Sequence, residues 1–171
     1  MNEPHRNADD RPHAEPAIRP FQPEDKPGVV NIIKSVYDDF RYIMDFEAFD
    51  ADLADIQSTH QDAGGEFWVL DDGGVIVGSV GVLPKEGDTC ELKRLYLGKA
   101  YRRKGWGTRL LATARGWAMA KGFRRLVLWS DVLFEPAHQL YIKTGFKATA
   151  KTRAIDPNNP TSVERFFEMH L

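Results

Sequence analysis

The stretch that most constrains this chain runs over residues 89–129. Residues 90–97 read as a strand, and residues 102–108 form a turn dense in arginine and glycine. Leu110, Leu111, Ala114, Trp117 and Ala118 then recur at helical spacing, and Gly122 stands where a helix would end. Residues 125–129 are a short, nearly unbroken apolar run, as in a parallel strand buried on both faces. Strand, helix and strand over this length make a βαβ crossover, which is right-handed by the general rule. A chain that contains one must build an α/β sheet with at least one parallel pair.

The flanks predict antiparallel additions. Residues 66–70 and 75–83 surround Asp71, Asp72, Gly73 and Gly74, a hairpin by pattern and turn chemistry, and residues 90–97 continue the meander after a second turn at Gly87 and Asp88. Residues 17–21 read as an edge strand stopped by prolines. Val29, Ile32, Ile33, Val36 and Tyr37 give an amphipathic helix, and Phe46, Phe49, Leu53 and Ile56 repeat that signature in a second one. A further helix starts at Pro136 and stops at Gly145, and residues 146–151 and 163–170 form closing strands around a breaker-rich loop at 156–160. The expected fold is α/β: a mixed, mostly antiparallel sheet with one parallel βαβ crossover and helices on both faces.

The 171 residues suit one domain. Residues 1–16, with three prolines and little bulky apolar content, are expected to be a disordered tail, leaving 17–171 as the domain. The single cysteine, Cys90, excludes an intramolecular disulfide framework and a cysteine-rich zinc site. No run of about 18 apolar residues offers a membrane span, and the N-terminus has no signal-peptide stretch. A cytoplasmic protein without nucleic-acid or membrane partners is therefore expected.

Charge is unevenly placed. The formal net charge is -2, yet residues 93–125 hold eleven basic side chains and no acidic one. Such a local field gathers a polyanion. Its focus is the turn from Arg102 to Thr108, at a predicted helix N-terminus whose unpaired amides and partial positive charge suit a phosphate. Gly105 and Gly107 allow unusual dihedrals and close approach, and Arg102, Arg103 and Lys104 add full charges. The spacing is neither that of a Walker loop nor that of the three-glycine dinucleotide fingerprint, and a tight turn that simply needs glycine explains it too.

Arg102-x-x-Gly105-x-Gly107, following the strand at 91–97, resembles the acetyl-CoA signature of the GNAT superfamily of N-acetyltransferases: Gln or Arg, two residues, Gly, one residue, Gly or Ala. Ala137-x-x-x-Tyr141-x-x-x-Gly145-Phe146 resembles the family's later helix and the strand after it. The order of elements also agrees, over residues 17–171. The resemblance implies acetyl-CoA as cofactor, its pyrophosphate on the amides of Arg103, Lys104, Gly105, Trp106, Gly107 and Thr108, with Arg102 beside them. Its pantetheine arm would pair with free backbone along Leu95, Tyr96 and Leu97, where two parallel strands splay. Where the family often has Asn, three residues before the alanine, this chain has Phe134. Trp106, inside the glycine turn, packs either over the cofactor or under the helix.

Transfer from a thioester to an amine needs a base for the amine, donors for the carbonyl oxygen and an acid for the leaving thiolate. Tyr141 matches the family's frequent catalytic tyrosine and is the candidate acid, the alternative being a helix anchor. Glu91 lies eleven residues before Arg102, similar to the glutamate of histone-acetyltransferase-type members, and is the candidate base; otherwise it pairs with a strand neighbour such as Lys93. His138, one helical turn before Tyr141, is the reserve base. Cys90 reads as a small core residue, and Trp68, Trp117 and Trp129 read as core.

The acceptor is expected to be a small-molecule or peptide amine. Residues 38–55 hold seven acidic side chains and one basic one; Asp38, Asp39, Asp45 and Asp50 would wall a site for a cationic amine, unless they are only a solvated face. Asp131 either joins that wall or caps a turn. A non-catalytic acyl-CoA-binding sensor is the alternative function, and relatives of this kind often form homodimers.

Overall fold

Two glycines set the central hairpin. Gly73 and Gly74 lie at φ 62 and 94, the pair of left-handed residues that a two-residue hairpin requires, and Asp71 Oδ1 accepts the Gly74 amide at 2.7 Å. They join β2 (Glu66–Asp72) to β3 (Val75–Pro84). β4 (Thr89–Leu97) extends the meander, and β1 (Ala17–Pro20) pairs with β2 at the edge. The computed structural model describes residues 15–155 and 162–171. Most of the expected N-terminal tail and the expected loop at 156–160 lie outside the described residues.

The crossover follows as predicted. α2 (Trp106–Ala120) leads to β5 (Arg125–Asp131), which pairs parallel to β4. α3 (Glu135–Lys143), β6 (Lys147–Ala154) and β7 (Val163–His170) complete the chain. The seven strands form one sheet in the order β1-β2-β3-β4-β5-β7-β6. All neighbours except β4 and β5 run antiparallel.

Each face of the sheet has its own core. On one, Leu110, Leu111, Ala114 and Ala118 of α2 and Tyr141 of α3 pack on Leu92, Leu126, Leu128 and Phe167. On the other, α1 (Lys26–Phe40) sets Val29 and Ile33 against Phe67 and Val69, with Leu53 and Ile56 closing the layer. Each such large apolar side chain, fully buried, contributes roughly 1.5–3 kcal/mol.

The expected second helix is the departure. Phe46 and Phe49 lie in turns and are 42% and 46% exposed; only a 3-10 turn at Ala51–Leu53 and a π turn at Gln57–Gln61 are helical. Aspartates cause this. Asp45 Oδ1 accepts the Glu47 and Ala48 amides, and Asp50 Oδ2 accepts the Asp45 amide at 2.8 Å. Side chains that bond the local backbone compete with the helical ladder.

Candidate active site

The chain leaves β4 through Gly98, makes one 3-10 turn at Lys99–Tyr101 and reaches Gly105, the N-cap of α2, at φ 84. No side chain caps this end, and its first turn holds no acidic residue. The leading amides of the helix therefore have no side-chain acceptor. Arg103, Lys104, Gly105 and Thr108 are exposed around them, an arrangement suited to a diphosphate. Gly107 serves packing: a Cβ there would lie 3.2 Å from Leu140 Cδ2 of α3. Two expected ligands point elsewhere. Arg102 turns back so that its Nε donates to the Leu97 carbonyl at 2.9 Å. The Trp106 indole is buried, with the Arg109 guanidinium 4.1 Å over its ring. Trp106 thus packs under the helix, and its main-chain amide is what it has to offer a ligand.

β4 and β5 pair only at Thr89↔Arg125, Cys90↔Leu126 and Glu91↔Val127. Beyond Glu91, β4 stays with β3 while β5 follows β7. The two strands part, and Leu95, Tyr96 and Leu97 form one wall of the resulting V. A bulge shapes that wall: Gly81 pairs with Lys93 and Ser79 with Tyr96, so Arg94 and Leu95 together oppose one residue. Arg94 takes φ 56, and its carbonyl accepts the Ser79 hydroxyl at 2.8 Å.

Tyr141 lies on the α2–α3 face, buried between Phe146 and Phe167 at ring distances of 5.7 and 5.6 Å. Burial holds its phenol well above the usual tyrosine range, with the neighbouring Ser130 hydroxyl pulling the other way. His138 shares that face, its ring 4.8 Å from Phe167. Burial lowers its proton affinity, and its Nε2 has no hydrogen-bond partner among the described residues. Glu91 sits at the mouth of the V, buried, with the Lys85 ammonium 2.6 Å from Oε2. Its partner is thus Lys85 and not Lys93, whose ammonium lies 4.0 Å from Asp52. Cys90 is fully buried, and burial pushes its thiol up to about 12, in keeping with a core residue.

The four aspartates expected to wall the acceptor side are already engaged. Asp38 pairs with Lys34 at 2.9 Å and Asp39 with Lys99 at 2.6 Å. Asp45 holds two amides, and Asp50 pairs with Arg94 at 2.8 Å. Asp131 caps its turn through the Leu133 amide and accepts the Tyr42 hydroxyl at 2.6 Å.

Three features escaped the sequence reading. Arg94 is buried in a cluster with Asp50, Asp52 and the Phe49 carbonyl, tying the 45–61 segment to the β4 bulge. Phe40 and Phe134 meet at 4.7 Å, and with Tyr42 they bridge the end of α1 to the start of α3. Trp129 is only half-buried, with Lys151 and Arg153 over its ring, so it is not the core residue expected. Only a basic residue at a core-like strand position hinted at the first. Among the described residues, no helix is long and apolar enough to cross a membrane, and no cluster of side chains could hold a metal ion.

Known proteins supply the remaining comparison. Residues 30–146 match the model of the acetyltransferase (GNAT) family. The chain is 28% identical over 137 residues to a protein named Uncharacterized N-acetyltransferase YjgM from Escherichia coli (strain K12), spanning 77% of this chain and 82% of that one. It is 32% identical over 110 residues to Probable N-acetyltransferase family 8 member 5 of Mus musculus, spanning 61% of this chain and 48% of that protein. The chain thus covers about half the length of that mammalian relative. A GNAT-family acetyltransferase from Staphylococcus aureus Mu50 superposes with a TM-score of 0.79 at 22% identity, covering 91% of this chain and 99% of that one. An acetyltransferase from Streptococcus agalactiae 2603 gives 0.77 at 24%, covering 91% and 98%. At these identities the two structures speak for the fold.

Proposed function

This chain belongs to the acetyltransferase (GNAT) family and is an acetyl-CoA-dependent N-acetyltransferase, and we propose that it acetylates a primary amine by direct attack, with Glu91 as base and Tyr141 as acid. The observation that carries this reading is the parting of β4 from β5 beyond the Glu91–Val127 pair, beside an uncapped α2 N-terminus.

When bound, acetyl-CoA supplies the activated acetyl group as a thioester. The amides of residues 103–108, with Arg103 and Lys104, hold its diphosphate, and Arg102 braces the end of β4 through Leu97. Backbone along Leu95, Tyr96 and Leu97 would align the pantetheine arm, and a main-chain amide near the Arg94–Leu95 bulge would donate to the carbonyl oxygen as it gains charge. Glu91 takes the amine proton, directly or through one water, once its carboxylate exchanges the Lys85 ammonium for that proton. Tyr141, kept a neutral phenol by burial, gives its proton to the departing sulfur. Phe134 lends an apolar edge in place of an amide side chain.

The test joins binding and turnover. Acetyl-CoA at about 100 times its dissociation constant adds about 2.7 kcal/mol of stability, read as a thermal shift, and a broad amine panel yields free thiol. Binding without thiol release from any amine would mark the protein as an acyl-CoA sensor.

A further inference from the structure

Between β5 and β6, on the face opposite Tyr141, lies a group of side chains that the proposed chemistry does not use. Trp129 and Phe166 are cross-strand partners with ring centroids 5.0 Å apart. A bulge in β6 sets Ala148 opposite Phe167 and Thr152 opposite Arg165, so the residues between them loop out. From this bulge Lys151 places its ammonium 5.3 Å from the Trp129 centroid and 4.9 Å from that of Phe166. The Arg153 guanidinium lies 4.3 Å from Trp129. Arg153 also holds Glu164 at 2.6 Å, whereas Lys151 has no carboxylate partner among the described residues.

The position of this shelf matters. Ser130, whose hydroxyl neighbours Tyr141, is the next residue after Trp129. Successive strand residues point to opposite faces, so the shelf lies across β5 from the phenol. The proposed cofactor site, with α2 and α3, occupies the phenol's face. An acceptor therefore approaches through the V from the α1 face, where the shelf stands beside the gap.

We propose that Trp129, Phe166, Lys151 and Arg153 form the acceptor subsite, and that the acceptor is a small amine carrying a free carboxylate and an apolar side group. The carboxylate bridges Lys151 and the free edge of Arg153, a pairing that suits ammonium and guanidinium donors. The apolar group packs beside the half-buried indole and phenyl rings, next to the two cations that cover them. On the opposite wall the aspartates are already paired with lysines, an arginine and backbone amides, which weakens their pull on a cationic acceptor. This inference rests on the acetyl-transfer function proposed above.

The test is thiol release with the standard amino acids, their α-amides and the corresponding decarboxylated amines, at fixed acetyl-CoA. The acids should exceed their amides in kcat/KM by about tenfold or more, the difference lying in KM. Lys151→Glu should erase that ratio, while its acetyl-CoA thermal shift shows that the variant is folded and loaded. Amides or decarboxylated amines that match or exceed the acids would overturn the proposal, as would a Lys151→Glu variant that keeps the ratio. Acetyl-CoA binding without thiol release from any of these amines would overturn the transfer function itself and the acceptor assignment with it.

Discussion

Replacing Arg94 by Met tests the claim that a buried ionic cluster holds the 45–61 segment on β4. The Arg94 side chain is 7% exposed, and its partners Asp50 and Asp52 are 1% and 13% exposed. Its Nη1 donates to Asp50 Oδ1 at 2.8 Å, its Nε to Asp52 Oδ2 at 3.0 Å and its Nη2 to the Phe49 carbonyl at 2.8 Å. Met matches much of the volume and supplies none of these donors. Its φ of 56 burdens both residues alike, so strain largely cancels in the comparison. What remains is two carboxylates left in a poorly solvated place, which costs about 3–5 kcal/mol. Against a typical stability of about 5–15 kcal/mol that is a large loss, and for a chain of this size it lowers Tm by roughly 6–20 °C. Urea unfolding followed by tryptophan fluorescence and by circular dichroism measures it. The triple variant that adds Asp50→Asn and Asp52→Asn should regain part of the loss, since the stranded charges are then gone. A loss below about 1 kcal/mol, or no recovery in the triple variant, would refute the argument that charge burial dominates here.

Tyr141→Phe should keep the thermal shift with acetyl-CoA while turnover falls by about 10² or more; undiminished thiol release would remove the phenol from the chemistry. Gly105→Ala forces a Cβ into the left-handed region at φ 84, costing about 1–2 kcal/mol, and should also weaken acetyl-CoA binding in calorimetry, whereas unaltered affinity would place the diphosphate elsewhere. Burial lowers the proton affinity of fully buried His60, whose pKa falls to about 4. The unfolded chain then binds this proton more readily, so its contribution is complete above the ordinary histidine pKa of about 6.5 and is lost as pH falls toward 4, by up to about 1.4 kcal/mol per pH unit. Urea midpoints across that range should fall with pH in the native protein and much less in His60→Phe; a flat native profile would contradict it.

The crossover was legible because its signals are local: an apolar run, a helical repeat, and glycines at 105 and 122 where left-handed backbone is needed. The turn before α2 was legible for the same reason. The Arg94 cluster was not, because its partners lie 42 and 44 residues away in sequence, and a strand pattern carries no trace of such a pairing. The 45–61 segment misled because Phe46, Phe49, Leu53 and Ile56 have helical spacing, while the aspartates that override it act through hydrogen bonds to the backbone. Trp129 misled in another way. An aromatic in an apolar strand reads as core, and the cations over it come from a bulge in a different strand. Glu91 lies in a strand, as its apolar neighbours suggested, yet its lysine partner came from beyond the preceding turn.

The sequence has one cysteine, and the fold seals it at 0% exposure with its thiol pushed up to about 12. A disulfide dye added to the native enzyme therefore has a single fast reactant, the coenzyme A set free by turnover, and its colour needs no correction for the polypeptide. Added to the same enzyme in urea, the dye counts opened molecules instead, because the sulfur becomes reachable only when β4 and β5 separate from their helices. One reagent thus clocks both catalysis and unfolding, and a variant that merely falls apart can be told from one that folds and has lost its chemistry.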